Sequence, residues 1–230
     1  MEYNKQPKGQ FQIPQSLTSL SRWILWKLET RDGKPTKVPY RVDGKHAKTI
    51  DPKDWTDFDT ARRAFDPKRY TGLGFVLTKE DGICCIDLDG AIDETENIVP
   101  EAAEIVKLLN SWTEISQSRK GLHIFFRGTK HTHKAKVTPE TFKALEIYDD
   151  KRFIAVTGNH LQGTPPELEE RQAELDALCA KYFRDTTPES PPPPKQSTPI
   201  HRSDDEIISL CRKAKNASKF EALFDRGDVS

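Results

Sequence analysis

The chain has 230 residues, and its 36 Lys and Arg balance its 36 Asp and Glu, so the formal net charge is zero. This length can bury a hydrophobic core, and the charge balance excludes a uniformly basic DNA-binding protein. The four cysteines form no CxxC pair and no His/Cys zinc pattern, so no zinc is expected. The absence of a signal core or of an apolar run near the roughly 20 residues that span a bilayer predicts a cytoplasmic protein with no membrane partner.

Short strands alternate with helices in the first part of the chain, separated by Gly or Asp turns. RWILWKLE predicts a strand and DWTDFDTARRAF a helix, followed by GLGFVLTKEDGICCIDLDG as a hairpin and a helix beginning after Val99. TEISQSRKGLHIFFRG and ALEIYDDKRFIAVTG each predict two strands around a polar turn, and residues 166–183 an amphipathic helix. This order predicts an α+β fold with mainly antiparallel sheets and flanking helices.

A proline-rich stretch, DTTPESPPPPKQSTP, predicts a linker over residues 185–200. Residues 1–184 then form the main domain. Beyond the linker, Ser203 and Glu206 form a capping box ahead of apolar positions at helical spacing. Residues 201–230 are too few to bury their own apolar face, so we expect them to start a truncated C-terminal helical domain.

Two carboxylates end the apolar strand ICCIDLDG. The strand period of two places Asp87 and Asp89 on one face, with backbones roughly 6.5 to 7 Å apart. Such a pair can share one or two Mg²⁺ ions, as two-metal phosphoryl transfer requires. The alternative is a strand end whose acidic face lies in water, and a lone D-x-D does not decide between them.

A polar loop leads into the strand GLHIFF, on which His123 and Arg127 share a face. Ser116, Ser118 and Lys120 in this loop can offer hydroxyls and positive charge to a triphosphate. Equally, His123 can be an ordinary half-buried strand residue and the loop a solvated turn.

An acid, Glu146, interrupts an apolar strand further along the chain. It can complete the metal site, and Arg152 beyond the next turn can bind phosphates in a bidentate manner. Alternatively, Glu146 forms a structural salt bridge with Arg152 or Arg127. In PTKVPY, Lys37 can project toward a phosphate, although a solvated lysine is the default.

In this order, IDLDG, SQSRKGLHIF and LEIY resemble the three motifs of the archaeo-eukaryotic primase superfamily. The likeness is greatest to the primase-polymerase (PrimPol) domains at the N-termini of phage and mobile-element replication proteins, and it covers roughly residues 20–160. It implies an RNA-recognition-like catalytic core with two Mg²⁺ or Mn²⁺ ions bound by Asp87, Asp89 and Glu146. It also implies that His123 contacts the incoming nucleotide, with further contacts from Ser116, Ser118, Lys120, Arg152 and Lys37.

The resemblance implies a template-dependent DNA primase/polymerase that transfers nucleotidyl groups from NTPs or dNTPs to a 3′-hydroxyl. Its partners would be single-stranded DNA template, primer and a downstream helical or helicase region, in the bacterial host of a phage or mobile element. Two alternatives remain open: a metal-dependent nuclease or phosphodiesterase, and a non-catalytic DNA-binding replication module. Helicase activity by this chain is set aside, because the sequence has no GxxxxGK[ST] loop.

Overall fold

A computed structural model of the chain describes residues 9–183, 203–214 and 217–225. The chain divides into two compact units, Met1–Asp185 and Thr186–Ser230. Among the residues described, no helix is both long enough and apolar enough to cross a membrane.

Within residues 9–183, the described part of the first unit, there are eleven strands and four α-helices. The strands are β1 (Gly9–Phe11), β2 (Trp23–Arg31), β3 (Lys34–Tyr40), β4 (Gly72–Leu77), β5 (Ile83–Asp89), β6 (Thr113–Ile115), β7 (Leu122–Arg127), β8 (Lys136–Val137), β9 (Ala144–Tyr148), β10 (Arg152–Val156) and β11 (Asn159–Leu161). The helices are α1 (Gln15–Thr18), α2 (Phe58–Ala64), α3 (Pro100–Leu109) and α4 (Gln172–Tyr182).

These strands form two antiparallel sheets. The larger sheet has the order β1-β11-β6-β7-β5-β9-β8, and the smaller one has the order β10-β4-β2-β3. The predicted α+β class with antiparallel sheets and flanking helices is therefore confirmed.

Strand β5 lies in the middle of the larger sheet and is apolar on both faces over its first half. Cys84, Ile86 and Leu88 pack in one core cluster with residues of α3 and α4, including Ile105 and Leu178. On the other face, Cys85 and its neighbour Phe125 on β7 pack against Trp23, Phe75 and Ile154 of the smaller sheet. The larger sheet is thus covered by helices on one face and by the smaller sheet on the other, and Asp87 belongs to the second face.

The hairpin predicted over GLGFVLTKEDGICCIDLDG is wrong, although both of its strands are present. Strand β4 belongs to the smaller sheet and β5 to the larger one. A 3-10 turn over Lys79–Asp81, closed by Gly82 in the left-handed conformation, carries the chain between the two sheets. Strands β9 and β10 are divided between the sheets in the same way, so the turn at 149–151 also connects the two layers.

The helix predicted over residues 166–183 begins only at Gln172. The residues before Gln172 are extended and not helical. The backbone N–H of Arg127 bonds to the carbonyl of Glu169, and the N–H of Arg171 bonds to the carbonyl of Arg127. Leu168 accordingly packs in the cluster between the two sheets and not with α4. The helix predicted over 54–65 is likewise shorter, since α2 begins after Asp57, whose side chain accepts the N–H of Thr60.

The second unit contains α5 (Asp204–Arg212), α6 (Ala217–Phe220) and a π-helical turn, Glu221–Asp225. The capping box is present: the N–H of Glu206 bonds to the Ser203 hydroxyl, and the Glu206 carboxylate accepts the N–H of Ser203. The predicted linker at 185–200 lies outside the described residues, and the assignment of 201–230 to a truncated domain stays a prediction.

Candidate active site

A row of polar side chains crosses the larger sheet. Asp87 on β5 lies opposite His123 of β7 on one side and opposite Glu146 of β9 on the other. The row continues to Glu114 of β6 beside His123 and to Lys136 of β8 beside Glu146. Directly opposed residues of neighbouring strands share a face. All five residues therefore lie on the face that is turned toward the smaller sheet.

A cavity of about 540 Å³ opens between the two sheets at this row. Its lining combines Asp87, His123 and Tyr148 of the larger sheet with Lys37 of β3 and Arg152 of β10 from the smaller sheet. The remaining lining residues are Pro35, Thr36, Pro39, Thr49, Lys151, Phe153, Ile154 and Ala155. A cavity whose lining combines a carboxylate, an imidazole and two cations suits a phosphate-rich ligand.

The two aspartates of β5 differ in what they contact. Asp87 is 28% exposed, and its nearest described cationic partner is His123, with 3.9 Å between Oδ1 and Nε2, beyond hydrogen-bond distance. Asp89 forms an ion pair with Lys143, with 2.5 Å between Oδ2 and Nζ, and this hydrogen bond raises the pKa of Lys143. Asp87 is therefore the aspartate that faces the cavity with an available carboxylate.

Glu146 is held by two neighbours on its own face. Its Oε1 lies 2.6 Å from Nζ of Lys136, and its Oε2 accepts the Tyr148 hydroxyl at 2.5 Å. Burial acts to raise the pKa of Glu146, but these two hydrogen bonds outweigh it and lower the pKa. The alternative expectation of a salt bridge from Glu146 to Arg152 or Arg127 named the wrong partner, because the salt bridge is to Lys136. The Arg152 guanidinium lies over the Tyr148 ring, 4.8 Å from its centroid.

The donor chemistry of this face fits a hard divalent cation, because it offers carboxylate oxygens on half-exposed side chains. Within the described part of the chain, however, no three His, Cys, Asp or Glu side chains are gathered closely enough to hold one ion. The ion pairs explain this arrangement, since Lys143 and Lys136 draw Asp89 and Glu146 toward themselves. The three predicted ligands thus share a face without forming a closed cluster.

The buried partner of His123 is Glu114, which the sequence analysis did not identify. Glu114 is fully buried, and its Oε1 lies 2.8 Å from Nδ1 of His123. Its Oε2 accepts the N–H groups of Thr157 and Gly158, at 2.9 and 2.8 Å, and the Thr157 hydroxyl lies 3.0 Å from Oε2 and 2.7 Å from the Ile115 carbonyl oxygen. Burial acts to lower the pKa of His123, but Glu114 and Asp87 outweigh it, and the net effect is a raised pKa.

The serine-bearing loop lies beside Asp89 and not in the cavity. A Cβ on Gly121 would stand 2.7 Å from the Leu88 carbonyl oxygen and 3.5 Å from Cα of Asp89, so glycine permits this close approach. Ser116 and Ser118 contact each other, with 3.1 Å between their hydroxyl oxygens. Lys120 pairs with the exposed Glu94 at 2.8 Å. The structure thus brings Lys37 and Arg152 to the cavity, whereas the three loop residues lie outside its lining.

Comparison with known proteins finds a match over residues 16–192 to the family described as "Bifunctional DNA primase/polymerase, N-terminal". The chain is also similar to the DNA primase-polymerase of Nitratiruptor phage NrS-1, with 35% identity over 203 residues. That alignment covers 87% of this chain and 27% of the phage protein, so the chain spans about a quarter of its relative's length.

Proposed function

The chain belongs to the family of N-terminal domains of bifunctional DNA primase/polymerases, which are nucleotidyltransferases, and we propose that it joins nucleotides on a single-stranded DNA template. The reaction transfers a nucleotidyl group from a dNTP or NTP to a 3′-hydroxyl during replication of a phage or mobile element in its bacterial host. The observation that carries this proposal is the alignment of Asp87, His123 and Glu146 in one row at a cavity that is also lined by Lys37 and Arg152.

In this proposal, Lys37 and Arg152 bind the triphosphate. Both residues line the same cavity as Asp87 and His123, so a polyanion bound there meets positive charge. Arg152 is braced by its contact with the Tyr148 ring, which limits the rotamers that the guanidinium adopts. Fixed cations of this kind offset the charge that develops on the leaving pyrophosphate. Ser116, Ser118 and Lys120 are proposed as contacts nearer to Asp89.

We further propose that Asp87 and Asp89 hold Mg²⁺ or Mn²⁺, with Glu146 as a third ligand. The ions, when bound, would stabilise negative charge on the phosphoryl oxygens and lower the pKa of the attacking hydroxyl. The support is the placement of both aspartates on one half-exposed face. Lys136 and Lys143 neutralise two of these carboxylates in the structure and must release them for ligation.

The partners that we propose are a DNA template, a primer and a further region of the same polypeptide. The support for the last of these is that the alignment covers only 27% of the phage relative, so most of that protein lies outside the aligned part. Helices α5 and α6 are proposed as part of a helical or helicase region.

Primer extension tests the proposed function. A labelled primer on single-stranded template is incubated with dNTPs or NTPs and Mg²⁺ or Mn²⁺, using the wild-type chain, Asp87→Ala and Glu146→Ala. We expect metal-dependent, template-directed extension that falls on the order of 100-fold or more in both variants, because each removes charge from the reacting centre. Asp59→Ala is the matched control, since Asp59 is an exposed carboxylate on α2 that does not line the cavity.

Two other outcomes would point to the remaining functions. Cleavage of the labelled strand without extension would support a nuclease that uses the same carboxylates. DNA binding with neither extension nor cleavage, unchanged by Asp87→Ala, would support a non-catalytic replication module.

A further inference from the structure

We propose that Glu114 is a positioning residue, which fixes the ring of His123 and ties together the two sheets that line the nucleotide cavity. The proposal rests on the proposed function, because it acts through a residue of the same site. It follows from how the two oxygens of one buried carboxylate are divided between two different elements.

The burial of Glu114 requires an explanation. The side chain is 0% exposed on the short strand β6, and acidic side chains are almost never fully buried unless they are paired. Here both oxygens have partners: Oε1 contacts the His123 ring, and Oε2 accepts two backbone N–H groups and lies near a hydroxyl that also contacts the Ile115 carbonyl. The backbone groups can only donate, so Oε2 is held as an acceptor.

The contact at Oε1 sets the orientation of the imidazole. With Glu114 as acceptor, Nδ1 of His123 carries a hydrogen, and Nε2 is the ring atom turned toward Asp87 and the cavity. A ring without this partner can rotate about its χ2 bond or change tautomer, and either change alters what it presents to the nucleotide. Glu114 therefore determines which ring atom reaches the ligand.

The contacts at Oε2 hold the end of β10, a strand of the smaller sheet. Thr157 directly follows β10, the strand that contributes Arg152 to the lining of the cavity. Gly158 has a φ of +68°, and a Cβ there would stand 2.8 Å from the Phe11 ring, so the turn is closely packed. One carboxylate thus fixes His123 on the larger sheet and the end of β10 from the smaller sheet relative to each other.

Replacement by glutamine separates positioning from simple filling of space. In Glu114→Gln the two backbone N–H donors of Thr157 and Gly158 select the amide oxygen, so the amide NH₂ faces Nδ1 of His123. The NH₂ group donates, so Nδ1 must become the acceptor and the ring hydrogen moves to Nε2. The shape of the side chain is kept while the hydrogen on the ring is exchanged.

Heteronuclear NMR of the imidazole nitrogens tests this directly, with the His123→Asn spectrum identifying the resonances of that ring. We expect a protonated Nδ1 in the wild-type chain and an unprotonated Nδ1 in Glu114→Gln. Thr157→Val is the matched control, since it removes the hydroxyl that contacts Oε2 and the Ile115 carbonyl but leaves the contact between Glu114 and His123, and it should keep the wild-type pattern. An unchanged Nδ1 signal in Glu114→Gln overturns the proposal.

Primer-extension kinetics provide the second test, as a double-mutant cycle with His123→Asn. Glu114→Gln should lower kcat by about 10- to 100-fold, the usual loss when a supporting partner is removed, with a smaller change in KM. In the His123→Asn background the same substitution should change kcat less than about 2-fold, because the residue through which it acts is gone. Full additivity of the two substitutions in kcat would show that Glu114 has only a structural role. A loss of activity that is accounted for by a loss of thermal stability would show the same. If the wild-type chain does not extend a primer, the proposed function fails, and the NMR result still decides the positioning.

Discussion

The acidic residues of the candidate site each have a different neighbour, and this sets what a single substitution should do. Asp87 faces the cavity, Glu146 is paired with Lys136, and Asp89 is paired with Lys143. The lysine on Asp89 is 73% exposed, so water screens the pair and it contributes little to stability. Its consequence is for ligation, because the ammonium and a metal ion compete for the same carboxylate.

Lys143→Met should therefore lower the concentration of Mg²⁺ or Mn²⁺ that gives half-maximal primer extension, by about 2- to 5-fold if the freed interaction is of surface ion-pair strength. The measurement is a metal titration of extension rate at saturating nucleotide. Lys107→Met on α3 is the control, since that helix covers the other face of the sheet. An unchanged metal requirement with a lower rate at saturating metal would instead indicate that Lys143 contacts the substrate.

At this scale the sequence identifies some residues of the site and misses others for physical reasons. The period of two correctly placed Asp87 on the face shared with Cys85, because β5 is long enough to show alternation. Glu114 lies on a strand of three residues, which is too short for a pattern to emerge. The available signal was an acid beside Ile115 and two residues after Trp112, but its partner His123 is set by strand register, which local sequence does not encode.

Among the elements, the smaller sheet shapes the cavity through a close contact at a glycine. Gly74 on β4 lies under Phe153 of β10, and a Cβ at this position would stand 2.7 Å from Cδ2 of that ring and 3.2 Å from Cγ1 of Ile24. Phe153 also lines the cavity. The absence of a side chain at Gly74 therefore allows the aromatic ring to pack against the strand and leave room for a ligand.

Gly74→Ala should destabilise the fold by about 1 to 3 kcal/mol, the usual cost of overpacking, and raise KM for the nucleotide as Phe153 is displaced. Urea unfolding gives the first quantity and primer extension the second. Gly128→Ala is the control, because a Cβ there would meet the flexible end of Gln172 at 3.3 Å, outside the cavity. Equal effects of the two substitutions on KM would contradict the packing explanation.

Strand existence was more predictable than strand pairing. The stretch GLGFVLTKEDGICCIDLDG contains two apolar runs around a polar turn, which is the usual pattern of a hairpin. The structure separates the runs because β5 is apolar on both faces and needs covering on each side, by helices on one and by the smaller sheet on the other. Its partners, β7 and β9, come from later in the chain. Such pairing depends on burial of the whole sheet, and no local pattern specifies it.

In the whole molecule, the first unit contains the complete set of layers on which the candidate site depends. Its helices α3 and α4, the larger sheet and the smaller sheet enclose two extensive apolar clusters, and every residue of both lies before Asp185. The cavity and the polar row are likewise formed by residues of this unit. A unit with its own core is expected to fold on its own.

A chain that ends at Asp185 should therefore unfold with nearly the same midpoint as the 230-residue chain, within about 2 °C, because a change of 1 kcal/mol shifts Tm by roughly 2 to 4 °C at this size. Thermal unfolding followed by circular dichroism gives the midpoint. Primer extension by the shortened chain should stay within about 2-fold of the rate of the 230-residue chain, because the shortened chain retains all the proposed reacting and positioning residues. The core variant Leu178→Ala, in the same shortened chain, should lower stability by about 2 to 5 kcal/mol and shows that the assay detects a weakened core. A lower midpoint for the shortened chain itself would mean that residues 186–230 stabilise the first unit. An unchanged midpoint with lost extension would assign them a part in binding the template.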